Sequence, residues 1–437
     1  MLGLITCLAL LLLLCIGTLR KSAVAFAAVL CLYGLKQWGQ SSSSLFATNR
    51  TLINFAIAIL VAIGMIREWR SNVDVRSMST AWLLGLILYA YAFITLAWSP
   101  DIDVALNRWS LEIPYVLMIA VVAPLLLKRT EDFRIASDWT LLVGGVVCLL
   151  ALVFGKWGNR GLLVNGDFLR SETNPLAIAS LGGTISVIAM VSVMAPMSRF
   201  KRILCFIAAL VGIAVILRSG SRGQLVAAIL AVLIGMPMAA KKRSIGAWLT
   251  MVILVAVVAQ IGWWIWDQMG VNSARWSGER SSEDAEGRLT MATALISAAT
   301  SDPVKFIVGT SNSSAFHYLG FYPHVAALEV LAEEGIIGIS LYVAIVVLAI
   351  RSAIKLDAHA RLHNDFTVRY VVAILTALFV FEWFLTFKQG SLLSSVYAIA
   401  YAGILGRLAK RADGMATSIN SEVTLEDRGS SLPNLMR

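Results

Sequence analysis

Residues 203–240 read ILCFIAALVGIAVILRSGSRGQLVAAILAVLIGMPMAA: two long apolar runs joined by the short polar turn Arg218-Ser-Gly-Ser-Arg222. A helix of about 20 apolar residues covers the hydrocarbon thickness of a bilayer. Neither run shows the alternation of a barrel strand. Outward from this pair, comparable runs recur at 2–19, 22–37, 51–66, 78–98, 109–127, 137–154, 174–196, 245–266, 328–350, 370–387 and 390–406. Composition agrees. Of 437 residues, 58% are hydrophobic and 14% charged, whereas soluble domains carry roughly 25% charge. No soluble fold hides that much hydrocarbon, which excludes a soluble enzyme, a disordered chain and a nucleic-acid-binding domain. The expected fold is an all-α polytopic membrane protein with about 12 (12–13) transmembrane helices. Residues 1–406 form the transmembrane domain, with a large external loop at 267–327, and residues 407–437 a flexible cytoplasmic tail.

The net charge of +10 follows from topology rather than from a nucleic-acid partner. Alternating the spans gathers the basic connections at 20–21, 67–76, 128–134, 199–202, 241–243, 351–369 and 407–437 on one side, which the positive-inside rule makes cytoplasmic. The five cysteines, Cys7, Cys15, Cys31, Cys148 and Cys205, all lie in apolar runs. That argues against a disulfide framework and against a cysteine zinc site. No P-loop is present, so an ATP motor would have to come from a partner.

The chemistry is expected on the opposite, external side, in the connections 155–173, 218–222 and 267–327. A loop of about 60 residues calls for structure or function of its own. Within it, LTMATALISAAT after Arg288 predicts a helix stopped by Ser301-Asp302-Pro303. That helix is too short to span and suited to roof a cavity from the membrane surface. Arg170, Arg218, Arg222 and Arg288 stand at the outer ends of apolar segments. Two readings stand for them: snorkelling to lipid headgroups, or holding a phosphate or diphosphate through guanidinium forks. Arg218 and Arg222 share a face if one helix runs through the turn. His324, in YPHVAALEVLAEEGIIG, can take a proton from a hydroxyl nucleophile; the alternative is a histidine bonded to backbone. Glu329, Glu333 and Glu334 either orient such groups or are wet carboxylates at a helix start. Asp101 and Asp103 form an Asp-x-Asp of the kind that can bind a divalent cation. His359 and His363 read as solvated loop residues. Glu382 is a charge inside a span with no partner assigned.

Several stretches resemble the O-antigen ligase family. HVAALEVLAEEGIIG is similar to its histidine followed by a helix ending in Glu-x-Gly-x-x-Gly, with His324, Glu333, Gly335 and Gly338 in those places; Val325 stands where the signature commonly has Asn. SGSRGQ carries a Ser-Arg-Gly element at Ser221, Arg222 and Gly223. GRLTMATALI…DPVKFIVGTS resembles the family's arginine-initiated loop helix, with Arg288 in the arginine position. TNPLAIAS and WSPD at 98–101 fit its outer turns. The resemblance covers roughly residues 95–345.

It implies a glycosyltransferase-C-like membrane fold in the bacterial inner (cytoplasmic) membrane, with the active site facing the periplasm. It also implies inverting, metal-independent transfer of glycan from an undecaprenyl diphosphate carrier to the lipid A-core acceptor, without a cofactor. His324 would be the general base, Arg222, Arg288, Arg218 and Arg170 the diphosphate ligands, and Glu333 a supporting residue. Related activities remain open: polymerisation of O-antigen or exopolysaccharide repeats, oligosaccharide transfer to protein, or, in another class, transport by a flippase. Membrane lipids are expected partners and nucleic acid is not.

Overall fold

The computed structural model describes residues 2–70, 78–158, 161–165, 172–240, 278–320, 325–388 and 390–429, with residues 249, 252, 253, 256, 257 and 260 between them. The described chain is helical, with two isolated β-bridges, Trp157–Leu162 and Leu163–Glu172, and no strands among the described residues. Its helices are α1 (Leu2–Arg20), α2 (Ala23–Ser42), α3 (Ser44–Thr48), α4 (Leu52–Arg70), α5 (Thr80–Thr95), α6 (Ile102–Tyr115), α7 (Thr130–Phe154), α8 (Pro175–Ser192), α9 (Arg199–Arg218) and α10 (Arg222–Ala239). The later part holds α11 (Gly278–Thr300), α12 (Pro303–Val308), α13 (Ala315–Leu319), α14 (Ala326–Glu333), α15 (Gly335–Leu362), α16 (Phe366–Thr386) and α17 (Val396–Gly429). Ten helical segments among the described residues are long and apolar enough to cross a membrane. The protein is an all-α, multi-pass membrane protein.

Short polar caps set the helix ends. Ser79, Asn174, Ser198 and Asp365 each accept a backbone N–H from the first turn of the helix that follows, satisfying donors that a helix start leaves open. α6 contains Pro114, which removes one ladder donor, and continues as a π-helix at Val116–Val122 and a 3₁₀ turn at Ala123–Leu126. Gly182 and Gly212 let α8 and α9 approach until their backbones nearly touch, the usual device for helix association in lipid.

Contacts between helix ends sort the bundle into two faces. On the basic face, Arg67 donates to the Leu19 carbonyl, Arg361 to Met238, and Arg407 to Pro124, Leu125 and Leu127. Below them, in the core, the Phe26 ring meets Phe133 at a tilt and Tyr401 edge-on, each with centroids 6.4 Å away. On the opposite, loop face, Trp38 donates to Thr6 at 3.1 Å and Asn165 N–H to Gln40 at 2.9 Å. These contacts gather Arg20's end of α1, the ends of α4, α10 and α15 and Arg407 of α17 at one face, and the start of α1 and the end of α2 at the other, in the order the alternation expects. The span expected at 245–266 lies largely outside the described residues.

Two expectations change in detail. The stretch 328–350 is not one helix: it breaks at Glu334, where Gly335 has φ +65°. A Cβ at Gly335 would press on the Ile307 carbonyl oxygen and the Gly309 amide, so backbone occupies the space a side chain needs. The span proper begins at Gly335, and α14 belongs to the loop face. At the other end, α17 runs through residues 407–429, the segment read from sequence as a tail.

Candidate functional site

The loop 309–314, Gly-Thr-Ser-Asn-Ser-Ser, is the keystone of the loop face. Gly309, Ser311 and Ser313 have φ of +88°, +95° and +63°. Such a run turns successive N–H groups inward and favours an anion. The anion is internal: Glu333 accepts the Ser313 N–H at 2.7 Å and the Ala315 N–H at 2.8 Å. Asn312 completes the knot. It donates to Glu334 at 2.7 Å, accepts the Trp109 indole N–H at 2.9 Å, and donates its backbone N–H to Thr95 at 2.9 Å. These bonds tie α5 and α6 to the break between α14 and α15.

Beside this knot lies a cavity of about 640 Å³. Its wall takes Tyr33 to Gln40 from α2, Arg50, Arg108 and Glu112 from α6, the start of α8, Glu329 and Glu333 from α14, Glu382 to Thr386 from the end of α16, and the turn leading into α17. Each helix contributes only its loop-face end, within about ten residues. At 1.5 Å per residue the cavity reaches about 15 Å inward, roughly half a bilayer core.

The cavity is bipolar. Lys36, Arg50 and Arg108 bring three cations from three segments, and Glu112 lies within electrostatic reach of both Arg108 and Lys36. The Arg108 guanidinium sits 4.0 Å from the centre of the Phe316 ring, which fixes its direction. The carboxyls Glu329, Glu333 and Glu382 supply the other character. Glu329, Glu333 and Glu334 are buried, which corrects the reading of wet carboxylates. Burial pushes the Glu333 carboxyl up to about 8, against the pull of its two N–H donors. Glu329 is held well above the carboxylate range, by burial first and then by the neighbouring charges of Glu333 and Glu334.

The residues singled out from sequence are distributed differently. Arg218 ends α9 and Arg222 begins α10, with Gly220 at φ +66° between them. The helix does not run through, so the two do not share one helical face. Arg218 lies over the Trp157 ring at 5.4 Å, and the Lys388 side chain packs on Gly223 beside Arg222. Both arginines thus neighbour Trp157 or Lys388, close in the chain to the lining residues Val164 and Thr386, without being on the cavity wall among the described residues. Arg288 is half-buried in α11, two turns before Leu295, which packs with Ala299, Ala315 and Ala332. α11 therefore lies over α13 and α14, and it ends at Thr300 where the sequence placed the stop, with Asp302 capping α12. Arg170 and His324 lie outside the described residues; Val325, next to His324, caps α14. Asp101 spends its carboxylate on the Val104 N–H as the cap of α6. His359 and His363 stack 4.4 Å apart at the basic face.

Sequence reading missed Lys36, Arg50, Arg108 and Glu112. The signal was present: Lys36 interrupts an apolar run, and Arg108 precedes the tryptophan that binds Asn312. Glu382, a span charge without a partner in the sequence, lines the cavity. No family model matches the chain, and no curated protein matches it.

Proposed function

We propose that the protein is a membrane glycosyltransferase of glycosyltransferase-C-like fold. It joins O-antigen polysaccharide from undecaprenyl diphosphate to lipid A-core on the periplasmic face of the bacterial inner membrane. One observation carries the reading: a cavity at the loop-face ends of the helices holds three cations and several carboxyls. Such a site suits a ligand with an anionic diphosphate and a polyhydroxylated glycan. A path for transport would need polar lining through the other half as well, and that half holds Phe26, Phe133 and Tyr401.

In this reading the acceptor oxygen attacks the anomeric carbon, and the bond from that carbon to the phosphate oxygen breaks. The hydroxyl proton passes to His324, and the carrier leaves as its diphosphate. Lys36, Arg50 and Arg108 stabilise the charge gathering on the leaving group, a task preorganised cations perform best where water is excluded. Arg218 and Arg222 at the rim, Arg288 in the covering helix, and Arg170 extend the cationic surface along which the carrier enters. Glu333 supports the site by holding the loop 309–314.

The test is transfer by purified protein supplied with carrier-linked glycan and a choice of lipid A-core or peptide acceptor. Glycan on lipid A-core is the expected product, abolished by His324→Ala. Extension of carrier-linked units makes the protein a polymerase. Glycan on peptide makes it a protein oligosaccharyltransferase. Movement of the carrier across vesicles with no new bond overturns the reading.

A further inference from the structure

Three carboxyls meet at the end of α14, and their surroundings divide the work among them. Glu333 has both oxygens bonded to backbone N–H groups. Glu334 turns away from the cavity wall to Asn312. Glu329 is different. It lines the cavity, is only 4% exposed, and has one oxygen on the Leu392 N–H at 3.1 Å. Its other oxygen is buried and meets no hydrogen-bonding group among the described residues. Leaving such an atom unmatched costs about 1–3 kcal/mol, so the position is built for something that is to be bound.

The Leu392 N–H belongs to a turn that lines the same wall. Ser391 and Ser394 bond to each other there, the Ser391 N–H donating to the Ser394 hydroxyl at 2.8 Å, and both side chains face the cavity. Two hydroxyls and a carboxyl with spare capacity form a set that both donates and accepts. A metal would ask for ionised ligands, and an anion for donors alone.

We infer that Glu329, with Ser391 and Ser394, is a subsite for a ring hydroxyl of a glycan. The inference rests on the transfer reading above and adds to it a residue that touches the sugar rather than the diphosphate. Ionising neighbouring buried carboxyls together is costly. Glu333 has two N–H donors and Glu329 only one, so Glu329 holds its proton the more firmly and is the neutral acid. A neutral acid donates one hydrogen bond and accepts others, as a sugar hydroxyl does in return.

The sugar belongs either to the carrier-linked donor or to the lipid A-core acceptor, and separate KM measurements tell which. For Glu329→Ala we expect a rise of tenfold or more in one of the two KM values, with kcat within threefold. Glu329→Gln, which keeps a neutral donor and acceptor, should bring that KM back to within threefold of wild type. Ser394→Ala, on an exposed side chain, should raise the same KM about threefold, and it serves if Glu329→Ala does not fold. Unchanged KM values in Ala variants with wild-type melting overturn the subsite. So does a loss confined to kcat that Gln fails to restore, since that marks an ionised carboxylate acting on the reacting atoms. If wild-type protein transfers nothing, the transfer reading fails by itself. The subsite is then decided by calorimetry with the two glycans freed of their lipids: binding to wild type lost in Glu329→Ala upholds it, and no difference overturns it.

Discussion

Arg407 and Arg108 are both arginines of helices packed in the bundle, and they do opposite things. Arg407, on the basic face, is wholly buried, and its guanidinium donates to the carbonyls of Pro124, Leu125 and Leu127, where a 3₁₀ turn runs out of partners. Arg108, on the loop face, is half-buried, braced by Phe316, and borders open space. The contrast teaches how to read a charge in an apolar sequence. Where the fold offers orphan carbonyls, the charge is consumed by structure. Where it offers a void, the charge borders open space, and on the transfer reading that is where a ligand would meet it.

Arg407→Ala tests the first half of that contrast and should have the largest effect. Its removal takes a donor from three buried carbonyls, and each one left unmatched costs about 1–3 kcal/mol. We expect collapse of the melting temperature in detergent, with activity falling only as folded protein is lost. A variant that melts like wild type breaks the comparison. Arg108→Ala tests the second half. It should keep the melting temperature and lower transfer about 10²–10³-fold, and Arg108→Lys should recover part of the loss, since an ammonium lacks the planar fork. Wild-type transfer by Arg108→Ala would leave the cavity without a cationic role.

Smaller changes sharpen the picture at the junction of the two helices below the cavity. Gly335→Ala puts a side chain at φ +65° against backbone and should cost about 1–3 kcal/mol, visible as a lower melting temperature together with weaker transfer. A pH effect comes last. The folded protein keeps a proton on Glu329 that the unfolded chain releases near the usual glutamate value. Rising pH therefore favours unfolding, and stability falls as the pH climbs above about 5. Glu329→Gln carries no such proton. It should match wild type near pH 5 and gain on it steadily as the pH rises, by up to about 1.4 kcal/mol per pH unit while the folded protein keeps the Glu329 proton; an equal difference at both ends of the range would deny the raised pKa.

How much of this was legible beforehand depends on range. Span positions and the two faces follow from local hydropathy and from where Arg and Lys collect, so α1, α2, α4 to α10 and α15 to α17 stood in the sequence. The stop at Ser301-Asp302-Pro303 was equally local. The break at Gly335 was not, because α14 reads apolar enough to continue; only the approach of Ile307 and Gly309 from another segment requires the turn. The same holds for the cavity. Lys36, Arg50, Arg108 and Glu329 lie up to about 290 positions apart in the chain, and nothing nearby in sequence says that they converge. Arg218 and Arg222 misled for the opposite reason: their spacing suggested one helix, while Gly220 between them takes a left-handed φ.

The depth of the cavity has a consequence for the cell. Beneath it, among the described residues, lie the rings of Phe26, Phe133 and Tyr401 and buried aliphatic side chains. Apolar packing of that kind is costly for an ion to cross. On the transfer reading, a large ligand would enter and leave by the loop face alone, and the protein would need no paired gates of the kind a through-conduit requires.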